Sequence, residues 1–261
     1  MTCTIYAIRH GFKIHEDAVS IEADIGEDVN AIDAEKTRSS LENYLFSEYS
    51  VPLHSIRCSP RIRSTQTAGL IRSMSTADIV TDISFCDLIE QNNPQYQDNP
   101  LVRISASNYR SIFDRGIHAW AKQQEKEGVG EWQRIQDFFF SDPQLKTKSP
   151  IDSDAFGNSM SAYEIGKRAY VSLSQFTENT IETGILVSHS LVLEPMIAYS
   201  LMQMRQNMQD DRESFYETLH HFITHSVGEK QWDYTEPSKL SLIEGKLSKI
   251  EFRGDTYDVD S

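Results

Sequence analysis

The sequence is poor in cysteine. It has only Cys3, Cys58 and Cys86, an odd and sparse set that supports no disulfide framework. Long apolar runs are missing too. No stretch of about 18 apolar residues occurs, which leaves no candidate for a membrane-spanning helix. The opening MTCTIYAIRHG has no basic segment followed by an apolar one, so no secretory signal is expected. Positive charge is in the minority: 25 Lys and Arg stand against 39 Asp and Glu, a formal net charge of −14. A field of that sign repels polyanions, so neither nucleic acid nor an anionic membrane is an expected partner. A site for a small anion then needs its own local cluster of cations. These absences together predict a soluble, cytoplasmic protein in a reducing compartment.

What is present suits a globular chain. Hydrophobic residues make up 39% and aromatics 10% of the 261 residues, enough for a real core. Residues 1–261 are expected to form one domain. Thr2–Ile8 (TCTIYAI) reads as a buried strand. Ala31–Tyr49 has helical spacing at Leu41, Tyr44, Leu45 and Tyr49. His54–Cys58 reads as a short strand. Ser59-Pro60 then opens a helix running to about Met74, with serine as N-cap and proline at the first helical position. Asp78–Phe85 reads as a third strand. This alternation predicts a parallel α/β sheet.

Prolines 94, 100, 143 and 150 then break the rhythm over residues 86–160. Helical candidates at Tyr109–Glu127 and Glu131–Phe140 make this a helical insertion, expected over the active site because insertions in such folds lie at loop ends. The rhythm resumes with a helix over Ser161–Thr180 and a strand at Gly184–Val187. A further helix follows by about Leu193, with Pro195 expected only in its first turn. Leu240–Ile243 and Lys249–Phe252 read as late strands. The predicted architecture is an α/β three-layer sandwich, a mostly parallel central sheet flanked by helices.

Three motifs end strands of this sheet: Ile8-Arg9-His10-Gly11, Cys58-Ser59-Pro60-Arg61-Ile62-Arg63 and Val187-Ser188-His189-Ser190. In open α/β sheets ligands bind beyond the carboxyl ends of strands. Two histidines and two or three arginines are therefore expected to converge. Guanidinium groups stay charged and grip phosphate oxygens through paired hydrogen bonds. Arg63 falls in the first turn of its helix, where free N–H groups already favour an anion. A neutral imidazole near pH 7 is a competent nucleophile toward phosphorus.

RHG after the first strand, SPRIRSTQTA at the second and SHS late in the chain resemble the histidine phosphatase superfamily, the phosphoglycerate mutase-like fold, on its phosphatase branch. The order of the motifs matches across residues 5–200. The resemblance implies that His10 is the nucleophile and forms phosphohistidine, and that Arg9 and Arg63, with His10 and His189, bind the phosphate. His189 would donate to phosphoryl oxygens, and Glu90, in Asp87-Leu88-Ile89-Glu90, would be the proton donor. No metal and no cofactor are implied. The expected activity is hydrolysis of a phosphomonoester, with a phosphorylated small molecule or a phosphoprotein as substrate. A non-catalytic phospho-ligand or protein-binding module on the same fold is the alternative. A mutase is disfavoured, because Glu90 lacks the extended motif that mutases carry around the acid.

Several positions depart from the family pattern. Phe12 follows RHG, His15-Glu16 stands where asparagine is frequent, and Ser190 replaces the glycine of SHG. QNNPQYQ follows Glu90 in place of Trp-Glu-Gly, and Asn158-Ser159 lacks the glutamate of Gly-Glu-Ser. Other candidates have plainer readings. His220, His221 and His225 have metal-like helical spacing, but no carboxylate or cysteine is spaced to complete a site, so they read as a solvated helix face. Cys58 reads as a small packed hydrophobe, and Trp132 with Phe138–Phe140 as core.

Overall fold

The computed structural model describes residues 2–14, 32–46, 53–59, 62–85, 162–174, 176, 183–205, 212–227 and 232–258. The expected insertion at 86–160, and with it Glu90, lies outside the described residues, as do Pro60, Arg61, His15-Glu16 and Asn158-Ser159.

Seven strands form one mixed sheet. In chain order they are β1 (Thr2–Arg9), β2 (Ser55–Cys58), β3 (Asp78–Thr81), β4 (Thr183–Ser188), β5 (Pro237–Ile243), β6 (Lys246–Phe252) and β7 (Asp255–Asp258). Their order across the sheet is β3-β2-β4-β1-β5-β6-β7. The first four are mutually parallel, and β5, β6 and β7 extend the sheet antiparallel from β1. β1 and β4 are the strands that the sheet buries on both faces, which is why TCTIYAIR and TGILVS read as near-continuous apolar runs. The late strands are joined by two-residue turns, Glu244-Gly245 and Arg253-Gly254. All four of those residues have positive φ, the geometry that matches the twist of a tight hairpin.

Helices cover both faces. Ala34–Leu41 (α1) and Ile62–Ser73 (α2) pack on the face carrying Tyr6, Ile8, Ile56, Ile185 and Val187. Ala162–Ser174 (α3) and Ser190–Met204 (α4) pack on the face carrying Cys3, Ile5, Ala7 and Leu186. Arg212–Phe222 (α5) lies against α4. This is the expected three-layer α/β arrangement. Among the described residues, no helix is long and apolar enough to cross a membrane.

Local differences from the sequence reading have physical causes. The third strand stops at Thr81, and Ile83–Phe85 is a 3₁₀ turn. Asp82 sets the break: its Oδ1 accepts the Ser84 N–H at 2.8 Å and its carbonyl accepts the Phe85 N–H, a local alternative to the ladder. α1 starts later than predicted. Asp33 caps its start by accepting the Lys36 N–H, and after Leu41 it widens into a π turn, Glu42–Phe46. Pro195 is not in the first turn of α4. The helix begins at Ser190, directly after the extended His189, so proline occupies the sixth position and removes an i→i−4 bond there.

That stretch of α4 lies against α3 at Gly166, where a Cβ would sit 2.4 Å from the Pro195 carbonyl oxygen and 2.8 Å from its carbon. Both obstacles are backbone, so neither can rotate away. Gly166→Ala is expected to destabilise the protein by about 1–3 kcal/mol through overpacking, read as a lower midpoint in urea unfolding. An unchanged midpoint would show that the two helices can separate freely.

Candidate active site

The sheet order explains why residues almost 180 positions apart meet. β2, β4 and β1 are adjacent and parallel, so their carboxyl ends lie side by side. Arg9 pairs with Ser188, and Cys58 with Val187. The His10 N–H then donates to the Ser188 carbonyl at 2.9 Å, and the Ser59 N–H to the Val187 carbonyl at 3.0 Å. The motifs RHG, SP and SHS are thereby stitched to one another by backbone. Both imidazoles follow at once: the ring centroids of His10 and His189 lie 5.1 Å apart, and both residues are buried.

The tautomer of His10 is fixed by a carbonyl. Its Nδ1 lies 2.9 Å from the Gly11 oxygen, and a carbonyl can only accept. Nδ1 therefore carries the proton in the neutral ring, and Nε2 keeps its lone pair. Burial holds the ring well below the usual histidine range, reinforced by the positive field of Arg63, then His189, then Arg9. The ring is consequently neutral at neutral pH, the state a nucleophile requires. The loop behind it is tight. The Gly11 N–H donates to Thr67 Oγ1 at 2.8 Å and the Phe12 N–H to Thr37 Oγ1 at 3.1 Å. A Cβ on Gly11 would meet Thr37 Cγ2 and Oγ1 at 2.4 Å. Thr67, from the STQTA stretch, itself donates to the Arg63 carbonyl and so ties the helix α2 to the loop after His10.

Arg9 is buried. Its Nη1 donates to the Trp232 carbonyl at 2.7 Å, and its guanidinium carbon lies 4.3 Å from the centre of the Tyr234 ring. Arg63 is half-buried at the start of α2, close enough for its charge to act on both Arg9 and His10. Nε2 of His189 sits between two buried hydroxyls, Ser59 Oγ at 3.2 Å and Ser64 Oγ at 3.3 Å. Of the site residues expected from the sequence, Arg9, His10, Arg63 and His189 thus lie near one another at the carboxyl ends of the strands. Glu90 falls outside the described residues. The chain before it is described as far as Phe85, whose carbonyl accepts the Ser188 hydroxyl at 2.7 Å.

Four further side chains at this end of the sheet lie outside the three motifs or go unremarked within them. Trp232 and Tyr234 belong to a segment that runs beside the end of β1, where Arg9 bridges to Tyr234 and the Thr235 N–H donates to the Arg9 carbonyl. Nothing local in QWDYTEP announces that contact. Ser64 is hidden inside a helical motif whose arginine draws the eye. Glu194 does leave a signal, as the one acid within the apolar run LVLEPMIAYSLM. Tyr234 also packs at a tilt against His10 at 5.5 Å and Phe12 at 5.1 Å. Phe12 borders an open groove of about 810 Å³ lined also by Asp33, Lys36, Ser39, Asn43 and Tyr44.

His221 and His225 stack at 4.1 Å, both on exposed positions. Among the described residues, no group of three or more His, Cys, Asp or Glu is arranged to hold a metal. Cys58 is fully buried and its thiol is pushed up to about 12, first by burial and then by Asp82.

No protein-family model matches the sequence, and no curated protein matches it significantly. Solved structures do match the fold. A phosphoglycerate mutase from Bacillus anthracis aligns over 97% of this chain and 93% of its own, with TM-score 0.53 and 12% identity. A mycobacterial hydrolase aligns over 97% of both chains, with TM-score 0.53 and 11% identity. A mycobacterial glucosyl-3-phosphoglycerate phosphatase aligns over 97% of this chain and 98% of its own, with TM-score 0.51 and 10% identity. Given the strand order, the two helical layers and these matches, the chain has the phosphoglycerate mutase-like fold.

Proposed function

We propose that the protein is a metal-independent phosphomonoester hydrolase working through a phosphohistidine on His10. The observation that carries this reading is the neutral His10 ring, with Nδ1 committed to the Gly11 carbonyl and Nε2 left with its lone pair beside His189, Arg9 and Arg63. In the first step Nε2 forms a bond to phosphorus while the ester P–O bond breaks. Arg9 and Arg63 supply fixed positive charge to the equatorial oxygens, and His189 donates to one of them. Preorganised charge of this kind usually contributes more to catalysis than any other single effect. Glu90 is proposed to give its proton to the departing alcohol. In the second step, water attacks phosphorus and gives a proton to the Glu90 carboxylate, the P–N bond breaks, and phosphate leaves.

The substrate is proposed to be a phosphorylated small molecule or a phosphoprotein, with its leaving portion in the groove that Phe12 borders. No nucleic-acid or membrane partner is proposed for a chain of −14 net charge, and a cytoplasmic setting suits the free, buried Cys3 and Cys58.

The test is hydrolysis of p-nitrophenyl phosphate with and without a chelator, followed by acid and alkaline quenching of the enzyme incubated with a labelled phosphoester. The expected result is chelator-resistant turnover and a label on His10 that survives alkali and is lost in acid. Turnover without a covalent label would overturn the two-step route. Phosphate binding without turnover would favour the non-catalytic binding module.

A further inference from the structure

Glu194 has no part in the chemistry above, yet it is the only carboxylate among the described residues with both oxygens buried and unpartnered. It has no solvent exposure, and neither Oε1 nor Oε2 has a hydrogen-bond partner. One other buried atom at this end of the sheet is in the same condition: Nε of Arg9, whose Nη1 is taken by the Trp232 carbonyl. The two side chains act on one another electrostatically. The second cation acting on Glu194 is Arg253, in the β6–β7 turn. Arg253 is gripped by both carboxylate oxygens of Glu236 at 2.7 Å and also feels Asp233. Arg9 in turn feels Tyr234, Arg63 and Asp233. A run of alternating charge, Glu236–Arg253–Glu194–Arg9, thus leads from the late hairpins to the phosphate pocket.

Resting on the phosphatase reading, we propose that Glu194 is a positioning residue for Arg9: uncharged, it leaves the guanidinium to the phosphoryl group, and on losing its proton it competes for that guanidinium from inside the protein. Burial keeps the proton on at neutral pH by pushing this carboxyl up to about 8, against the pull first of its own backbone N–H and then of Arg9 and Arg253. A dianionic phosphoryl group bound at Arg9 further disfavours the carboxylate. By linkage, phosphate binding is then strongest below about pH 8 and weakens as the pH rises through it, with a proton taken up on binding in that range. His10 is held well below the usual histidine range, and Cys58 is pushed up to about 12.

Two measurements test this from about pH 7 to about pH 9.5: the KM and kcat for p-nitrophenyl phosphate, and calorimetric binding of inorganic phosphate. In the wild type, KM and the phosphate Kd are expected to rise about tenfold for each unit of coupling between Glu194 and the ligand, with kcat moving less. The heat of phosphate binding is expected to depend on the ionisation heat of the buffer. In Glu194→Gln, which cannot ionise, KM and Kd stay flat over the same range. Glu194→Met serves if the glutamine variant does not fold. A flat wild-type profile, or an alkaline rise that survives in either variant, overturns the proposal. Phosphate binding separates the two ideas. A protein that binds phosphate with this pH dependence but hydrolyses nothing overturns the hydrolase reading and leaves Glu194 in its role, and one that binds no phosphate overturns both.

Discussion

His10→Ala is expected to lower kcat for p-nitrophenyl phosphate by about 10⁴-fold or more and to abolish the covalent label. Loss of a nucleophile in a covalent mechanism ordinarily removes the whole chemical step and leaves only binding and electrostatic contributions. In the proposed mechanism Nε2 of His10 is the attacking atom, because Nδ1 is held by the Gly11 carbonyl and the lone pair is left on Nε2. The alanine variant also empties space beside His189, so His10→Asn is the companion: its amide N–H can still reach toward the Gly11 carbonyl. Both variants are expected to keep binding inorganic phosphate, since Arg9, Arg63 and His189 remain. A rate for either variant within about tenfold of wild type would remove His10 from the mechanism. A normal rate together with the label on another residue would move the nucleophile elsewhere.

The second large effect is on stability. Trp232→Ala is expected to cost about 3–5 kcal/mol, a large share of the roughly 5–15 kcal/mol that holds a typical domain together. Trp232 is fully buried in the larger core cluster and lies 4.6 Å from the Phe252 ring. Its Nε1 donates to the Glu236 carbonyl at 2.8 Å, an acceptor the alanine leaves unserved. For a chain of this size, that loss corresponds to a Tm lower by about 6–20 °C, readable by calorimetry. The same residue's carbonyl takes Arg9 Nη1, so the loosened segment is also expected to raise KM at temperatures where the variant is still folded. Trp232→Phe, which keeps most of the buried area, is expected to lose less on both counts. A Tm change of under about 2 °C for the alanine variant would mean that the core refills the space.

These two predictions draw on information of different origin. His10 was legible in the residue string because its chemistry is local. An apolar strand, a cation, an imidazole and a glycine follow one another in IYAIRHG, and SPRIRSTQTA and SHS repeat the logic at two other strand ends. Most strands and helices were legible for the same reason, since period and turn residues act over a few positions, although β7 was not foreseen. Boundaries were less so where a side chain competed with the backbone, as Asp82 does after Thr81, or where a helix started earlier than its proline suggested, as at Ser190.

Sequence alone determined the layer architecture, the strand ends at which cations and imidazoles occur, and the sign of the overall charge, because each follows from neighbouring residues or from simple counting. Only the tertiary structure decided that β2, β4 and β1 lie side by side, which tautomer His10 holds, and which groups back Arg9. Those are contacts between segments as much as 223 positions apart. They are set by how the sheet closes its ranks and what its core excludes from water, and no local pattern in the chain encodes them.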